Sequence, residues 1–258
     1  MSKNGLTRFL QWLQQNTVLY FRFVLFITFT GHGLVSLGFS EGYELHYRIF
    51  EAVNIFGIEP AFFLRVQGIW DLVLAALILF AFFPKVVLPV AGIYLLTVAG
   101  CGWAYFVHKT GSLFGIAESF RRFPWIFYCL FLSLYYYRHT EYYKLLRIGI
   151  AFAFLAHGLA SLGLFGLKGA HIELASQIFS EQVANNIVFY SGFTDTFLGL
   201  WLLTGFYSRM PAIIGSVWLL VVVYLSLLFG VPEFLFRSGF LLSCIYVAID
   251  KRCHIRPV

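Results

Sequence analysis

The chain has 258 residues, of which 60% are hydrophobic, 20% aromatic and only 12% charged, whereas a soluble domain carries about a quarter charged residues. So few charges cannot clothe a water-exposed surface of this size, which excludes an ordinary soluble enzyme and makes lipid the expected solvent. The formal charge of +6 is not gathered in one basic stripe, so no nucleic-acid partner is expected.

Residues 1–17 form an N-terminal segment in which Leu6, Arg8, Phe9, Leu10, Trp12 and Leu13 alternate as in an interfacial helix. No short apolar leader with a small-residue cleavage site precedes a polar domain, so no cleavable signal is expected. Apolar runs then predict membrane spans near 18–38, 62–83, 86–107, 122–137, 145–165, 187–206, 210–230 and 234–250. Backbone in hydrocarbon must satisfy its own hydrogen bonds, and no ten-residue alternation suggests barrel strands, so the fold class expected is all-α. Trp70, Trp103, Trp125 and Tyr135 to Tyr137 are candidates for the aromatic belts. Cys101, Cys129, Cys244 and Cys253 never form a CxxC pair and are read as packing residues.

The spans fall into two parallel four-helix repeats, 18–138 and 139–258, the second ending in a short cytoplasmic tail. Arg22 precedes His32-Gly33-Leu34-Val35-Ser36-Leu37-Gly38, and Arg147 precedes His157-Gly158-Leu159-Ala160-Ser161-Leu162-Gly163, at an offset of 125 that His46 and His171 also keep. At an offset of 124, Gly68, Asp71, Leu74 and Lys85 match Gly192, Asp195, Leu198 and Arg209. At 115, Glu118, Arg122 and Cys129 match Glu233, Arg237 and Cys244. An even number of spans in each half makes the repeats parallel.

Basic residues near short loops favour the cytoplasm. With the N-terminus inside, eleven of the 18 Lys and Arg residues fall on the cytoplasmic side and seven outside, so both termini are expected in the cytoplasm. Eight of the twelve acids then lie outside.

The second half reads Arg147, His157-Gly158, Gly192, Asp195 and Gly199, followed by Leu202-Leu203-Thr204-Gly205-Phe206-Tyr207-Ser208-Arg209-Met210-Pro211-Ala212. This resembles the DoxX-like family of four-helix membrane proteins, whose second helix carries an acid, usually glutamate, ahead of a Leu-Leu-x-Gly-x-x-x-Arg-x-x-Ala ending. The resemblance covers 147–250 and, more loosely, 22–137, where Ala81-Phe82-Phe83-Pro84-Lys85 replaces the Gly-to-Arg turn. It implies a fused tandem member, a bundle fold in a bacterial inner membrane, and an association with redox work. Family members include the membrane subunit of thiosulfate:quinone oxidoreductases and partners in thiol or oxidant defence. A quinone is therefore the first cofactor expectation, and a partner protein or a second copy the expected associate beside the lipid bilayer. Family membership does not fix chemistry, and whether the chain is itself an enzyme stays open.

Ionisable residues in hydrocarbon cost about 2.5–3.5 kcal/mol on insertion scales and so mark candidate sites. His32 and His157 lie near the outer third of the first and fifth spans, and Asp71 and Asp195 lie at similar depth in the second and sixth. A histidine and an aspartate are expected to pair within each half. Three readings stay open: a polar lock between helices in a non-enzymatic assembly or interaction factor, a proton-handling or quinone headgroup site opening outward, or a conduction pathway of an ion or small-molecule transporter. Haem held by His32 with His157 or His46 is a weaker expectation, since no CxxCH motif is present. No metal site is expected, because His46, His108 and His171 lack close ligand spacing. Arg122 and Arg237, each four residues after a glutamate, are expected to form intrahelical ion pairs and, with His46 and His171, to receive an anionic substrate. Arg22 and Arg147 are expected to snorkel to the inner interface as anchors.

Overall fold

The computed structural model describes residues 8, 11–40, 42–53, 57–111, 120–138, 142–164, 171–172, 175–176 and 178–254. The described residues form helices and no strand: α1 (Thr17–Ser36), α2 (Tyr43–Val53), α3 (Pro60–Leu79), α4 (Pro84–Thr110), α5 (Phe123–Arg138), α6 (Lys144–Ser161), α7 (Glu181–Thr204), α8 (Arg209–Ser226) and α9 (Val231–Ile249). Seven of them, all but α2 and α5, are long and apolar enough to cross a membrane. The protein is all-α and polytopic.

The expected span at 122–137 is the 16-residue α5. At 1.5 Å per residue it reaches about 24 Å, against a hydrocarbon core of about 30 Å. Trp125, Tyr128, Phe131 and Leu132 on this helix are fully buried, so protein contacts rather than lipid hold it. Trp125 consequently belongs to the core and not to an aromatic belt, while Trp70 and Trp103 are exposed. Of the expected N-terminal surface helix, Trp12 is half exposed and Leu13 is buried against the bundle; Leu6, Phe9 and Leu10 lie outside the described residues.

The helices exchange partners between the halves. α1 packs along α3 and α9, and α6 packs along α7 and α5, with α4 laid on α5 and α8 on α9. The first helix of each half is thus clasped by the last helix of the other. Between them lies an aromatic centre in which Phe21 meets Tyr128 at 4.9 Å and Tyr246 at 5.0 Å between ring centroids, both edge-on. Outward faces such as Phe193 and Phe197 on α7 and Val217 and Leu220 on α8 remain exposed, as befits helices solvated by lipid tails.

Two glycine crossings set the spacing. A Cβ at Gly33 would stand 2.9 Å from the Gly68 carbonyl, and one at Gly192 would stand 3.0 Å from the Gly158 carbonyl. The α1/α3 and α6/α7 backbones therefore touch, the expected use of small residues in lipid. Gly38 and Gly163, with φ of 90° and 84°, then end α1 and α6 in the left-handed conformation that costs glycine least.

Arg22 and Arg147 do not snorkel. Arg147 is buried, and its Nη1 donates to the Leu202 carbonyl at 2.6 Å and to the Leu203 carbonyl at 3.2 Å. Arg22 likewise donates from Nε to the Ile78 carbonyl at 2.9 Å and from Nη2 to the Leu79 carbonyl. Each guanidinium caps the C-terminus of the neighbouring helix, where the last carbonyls have no partner and the helix dipole is negative.

Arg252 closes the same end of the bundle. Its Nη2 donates to the Gln14 carbonyl at 3.0 Å and to Asp250 Oδ2 at 2.7 Å, so both ends of the described chain meet there. This proximal end lies opposite the distal end that carries the histidines. Arg147→Met should lower stability by about 1.5–3 kcal/mol, the cost of two stranded carbonyls facing a lost charged donor. Thermal unfolding of the purified variant in detergent measures this, and an unchanged midpoint would refute the capping role.

Candidate functional site

The distal end is built from the glycine crossings outward. Because Gly33 admits α3 to backbone contact, Asp71, one turn beyond Gly68, comes to rest against His32. His32 Nδ1 and Asp71 Oδ2 are 2.7 Å apart, with the aspartate side chain fully buried and the imidazole 13% exposed. A carboxylate this close turns the ring and fixes which nitrogen faces it.

The segment 43–53 falls between the first two expected spans. It is the helix α2, lying across the distal end and bringing His46 over the pair. The His46 Nδ1 lies 3.4 Å from Ser36 Oγ, and the His32 and His46 rings are 4.9 Å apart. Burial, followed by the charges of His32 and Arg122, holds His46 well below its ordinary value. His32, His46, Gln67, Cys101 and Arg122 line a cavity of about 10 Å³, room for about one water.

The second half reproduces part of this. His171 Nδ1 is 2.8 Å from Ser161 Oγ, and Arg121 Nη2 donates to His171 Nε2 at 2.9 Å. Since arginine only donates, Nε2 accepts and Nδ1 carries the proton toward Ser161. Burial, with Arg121 and Arg237 behind it, pushes His171 down to about 3. The His157 and His171 rings lie nearly parallel, 6.0 Å apart.

The expected His/Asp pair forms in the first half only. Among the described residues no hydrogen bond joins His157 to Asp195; the Trp218 indole faces Asp195 instead, and Asp195 Oδ1 has no partner. The physical difference is the hold on the second histidine. Arg121 and Ser161 grip His171 from both nitrogens, and the His157 ring stacks on it.

The arginines also divide. The expected Glu233–Arg237 pair forms, at 2.7 Å, and it is largely buried. Glu233 also accepts from Ser40 at 3.2 Å, tying the end of the first repeat's opening helix to α9. Glu118, the expected partner of Arg122, lies outside the described residues. Arg122 serves the first centre while its neighbour Arg121 serves the second.

Sequence reasoning missed Ser36, Ser161, Arg121, Gln67, Tyr94 and Trp218. Signals existed for several: the serines stand four residues after the histidines in both copies of the motif, and Tyr94 and Trp218 keep the 124-residue offset of the aspartates they face. The helical setting defines a polytopic membrane protein, with buried polar groups gathered at the ends of its bundle. Residues 151–238, from within α6 to within α9, match the model of the DoxX-like family. No curated protein and no solved structure matches the chain.

Two outcomes test this geometry. His171 is neutral in the fold but protonates in the unfolded chain below its ordinary 6.5, so its contribution is complete above that pH and is lost as pH falls toward 3. Denaturation in detergent across that window should show His171→Gln with a flatter pH dependence than the parent protein. Asp71→Asn should cost about 2 kcal/mol by removing a charged hydrogen bond, and Asp195→Asn distinctly less; equal losses would contradict the asymmetry.

Proposed function

We propose that this chain is a redox-associated membrane subunit whose distal end exchanges protons through His32 and Asp71. The observation that carries the reading is the buried 2.7 Å contact between them, with a second imidazole, His46, tilted at 45° against the His32 ring 4.9 Å away and space for a water beside it. An imidazole against a carboxylate can take up and release a proton with little rearrangement, which is what a partner releasing protons on oxidation requires. In this reading His32 carries the proton, Asp71 orients and balances it, and His46 and Arg122 line the approach. His157, Asp195, His171 and Arg237 form a companion centre whose role is to hold the second half in register.

A quinone was the first cofactor expectation. Gln67, Tyr94 and Arg122 offer donors that would suit a quinone carbonyl, yet the space beside His32 is that of one water, not of a ring. A space of that size does not fit the group. A conduction pathway finds less support, because the aromatic centre of Phe21, Tyr128, Phe131 and Tyr246 separates the distal histidines from the proximal Arg252 cluster.

The distribution of basic residues supports an orientation with both termini in the cytoplasm and the histidines facing outward, in a bacterial inner membrane. Infrared difference spectra of the protein in lipid, recorded across a pH step, should show imidazole and carboxylate bands moving together in the parent and losing that coupling in Asp71→Asn and His32→Gln. Identical spectra in parent and Asp71→Asn would sink the proposal. An absorption spectrum and lipid extract of the same sample report haem and quinone directly. Impermeant thiol labelling of a cysteine placed at Ser40 should occur from outside whole cells; labelling only after lysis reverses the orientation.

A further inference from the structure

Three polar atoms beside the His32–Asp71 pair have no hydrogen-bond partner: Gln67 Oε1, Asp71 Oδ1 and the Tyr94 hydroxyl. Gln67 is 5% exposed and Asp71 fully buried; standing four residues apart on α3, they share one face of the helix. Tyr94, from α4, faces both closely enough to interact with each, but outside the geometry of an ordinary hydrogen bond. Buried polar atoms in folded proteins nearly always find a partner, so three such atoms on facing helices call for one.

The hydrogen-bonding capacities identify it. Gln67 Oε1 and the free carboxylate oxygen of Asp71 only accept, while the Tyr94 hydroxyl can donate. A water molecule gives two hydrogen bonds and takes one here, the usual complement of about three for an internal water. Gln67 also lines the neighbouring cavity of about 10 Å³, the size of one such molecule. We propose that Gln67, Asp71 and Tyr94 form a binding site for a single water, linking the buried carboxylate to the cavity lined by His46. A metal cation suits the position poorly, because Arg122 lines the same cavity and His32 sits on the other carboxylate oxygen.

The second half lacks this site. At the 124-residue offset Gln67 becomes Ser191 and Tyr94 becomes Trp218, whose indole donates but never accepts. The three-atom set of the first centre is therefore not repeated in the second. This inference does not rest on the proton-exchange reading, since an ordered water can be present whether or not protons move.

Low-temperature infrared spectra of the whole protein in lipid, taken in ordinary and in heavy-oxygen water, provide the test. The parent should show a strongly bound water band that shifts with the oxygen isotope, lost in Gln67→Leu and in Tyr94→Phe and retained in Trp218→Phe. Absence of an isotope-sensitive band in the parent, or its persistence in both α3 and α4 variants, would overturn the site. Should either variant fail to fold, an experimental density map of the parent at better than about 2 Å decides. A peak within about 3.2 Å of all three atoms supports the site. A Gln67 amide turned to donate straight to Asp71, with no peak, refutes it.

Discussion

In hydrocarbon a polar side chain has no water to fall back on, and almost every polar contact in this protein is an answer to that constraint. The answers are placed at the two ends of the bundle. At the proximal end Arg22 and Arg147 satisfy helix C-termini, and Arg252 binds Asp250 and the chain's opening segment. At the distal end imidazoles, carboxylates and arginines satisfy one another. Aromatic and aliphatic packing fills the space between.

The exchange of closing helices between the halves determines how the distal end is assembled. Because α5 packs on α6 and α9 on α1, each histidine centre borrows groups from the other repeat. Arg121 reaches His171, and Phe236 lies 6.0 Å from the His32 ring. Neither half is complete alone. The two centres have diverged within this shared frame, one keeping its carboxylate on the imidazole and the other surrendering it to an indole.

That divergence bears on function more than the repetition does. A histidine held on both nitrogens, as His171 is, stays neutral and structural. His32 has one nitrogen on Asp71 and an edge on a small cavity, which leaves it chemically available. That cavity has room for about one water and none for a ring.

Apolar runs announced the membrane helices, because crossing lipid demands length and hydropathy that are written locally. The paired motifs announced which histidines and aspartates share a depth, and the His-Gly spacing announced a close helix crossing. What neighbours do across an interface was not legible. The caps made by Arg22 and Arg147 depend on carbonyls 55 to 57 residues away, and the amphipathic α2 gave no span-like signal at 11 residues. The absence of a His157–Asp195 hydrogen bond among the described residues, and the division of labour between Arg121 and its neighbour Arg122, were equally hidden. Sequence by itself determined the solvent and most of the long apolar helices. Only tertiary structure decided which groups meet, since rotation and partner choice are set by packing between helices rather than by spacing within one.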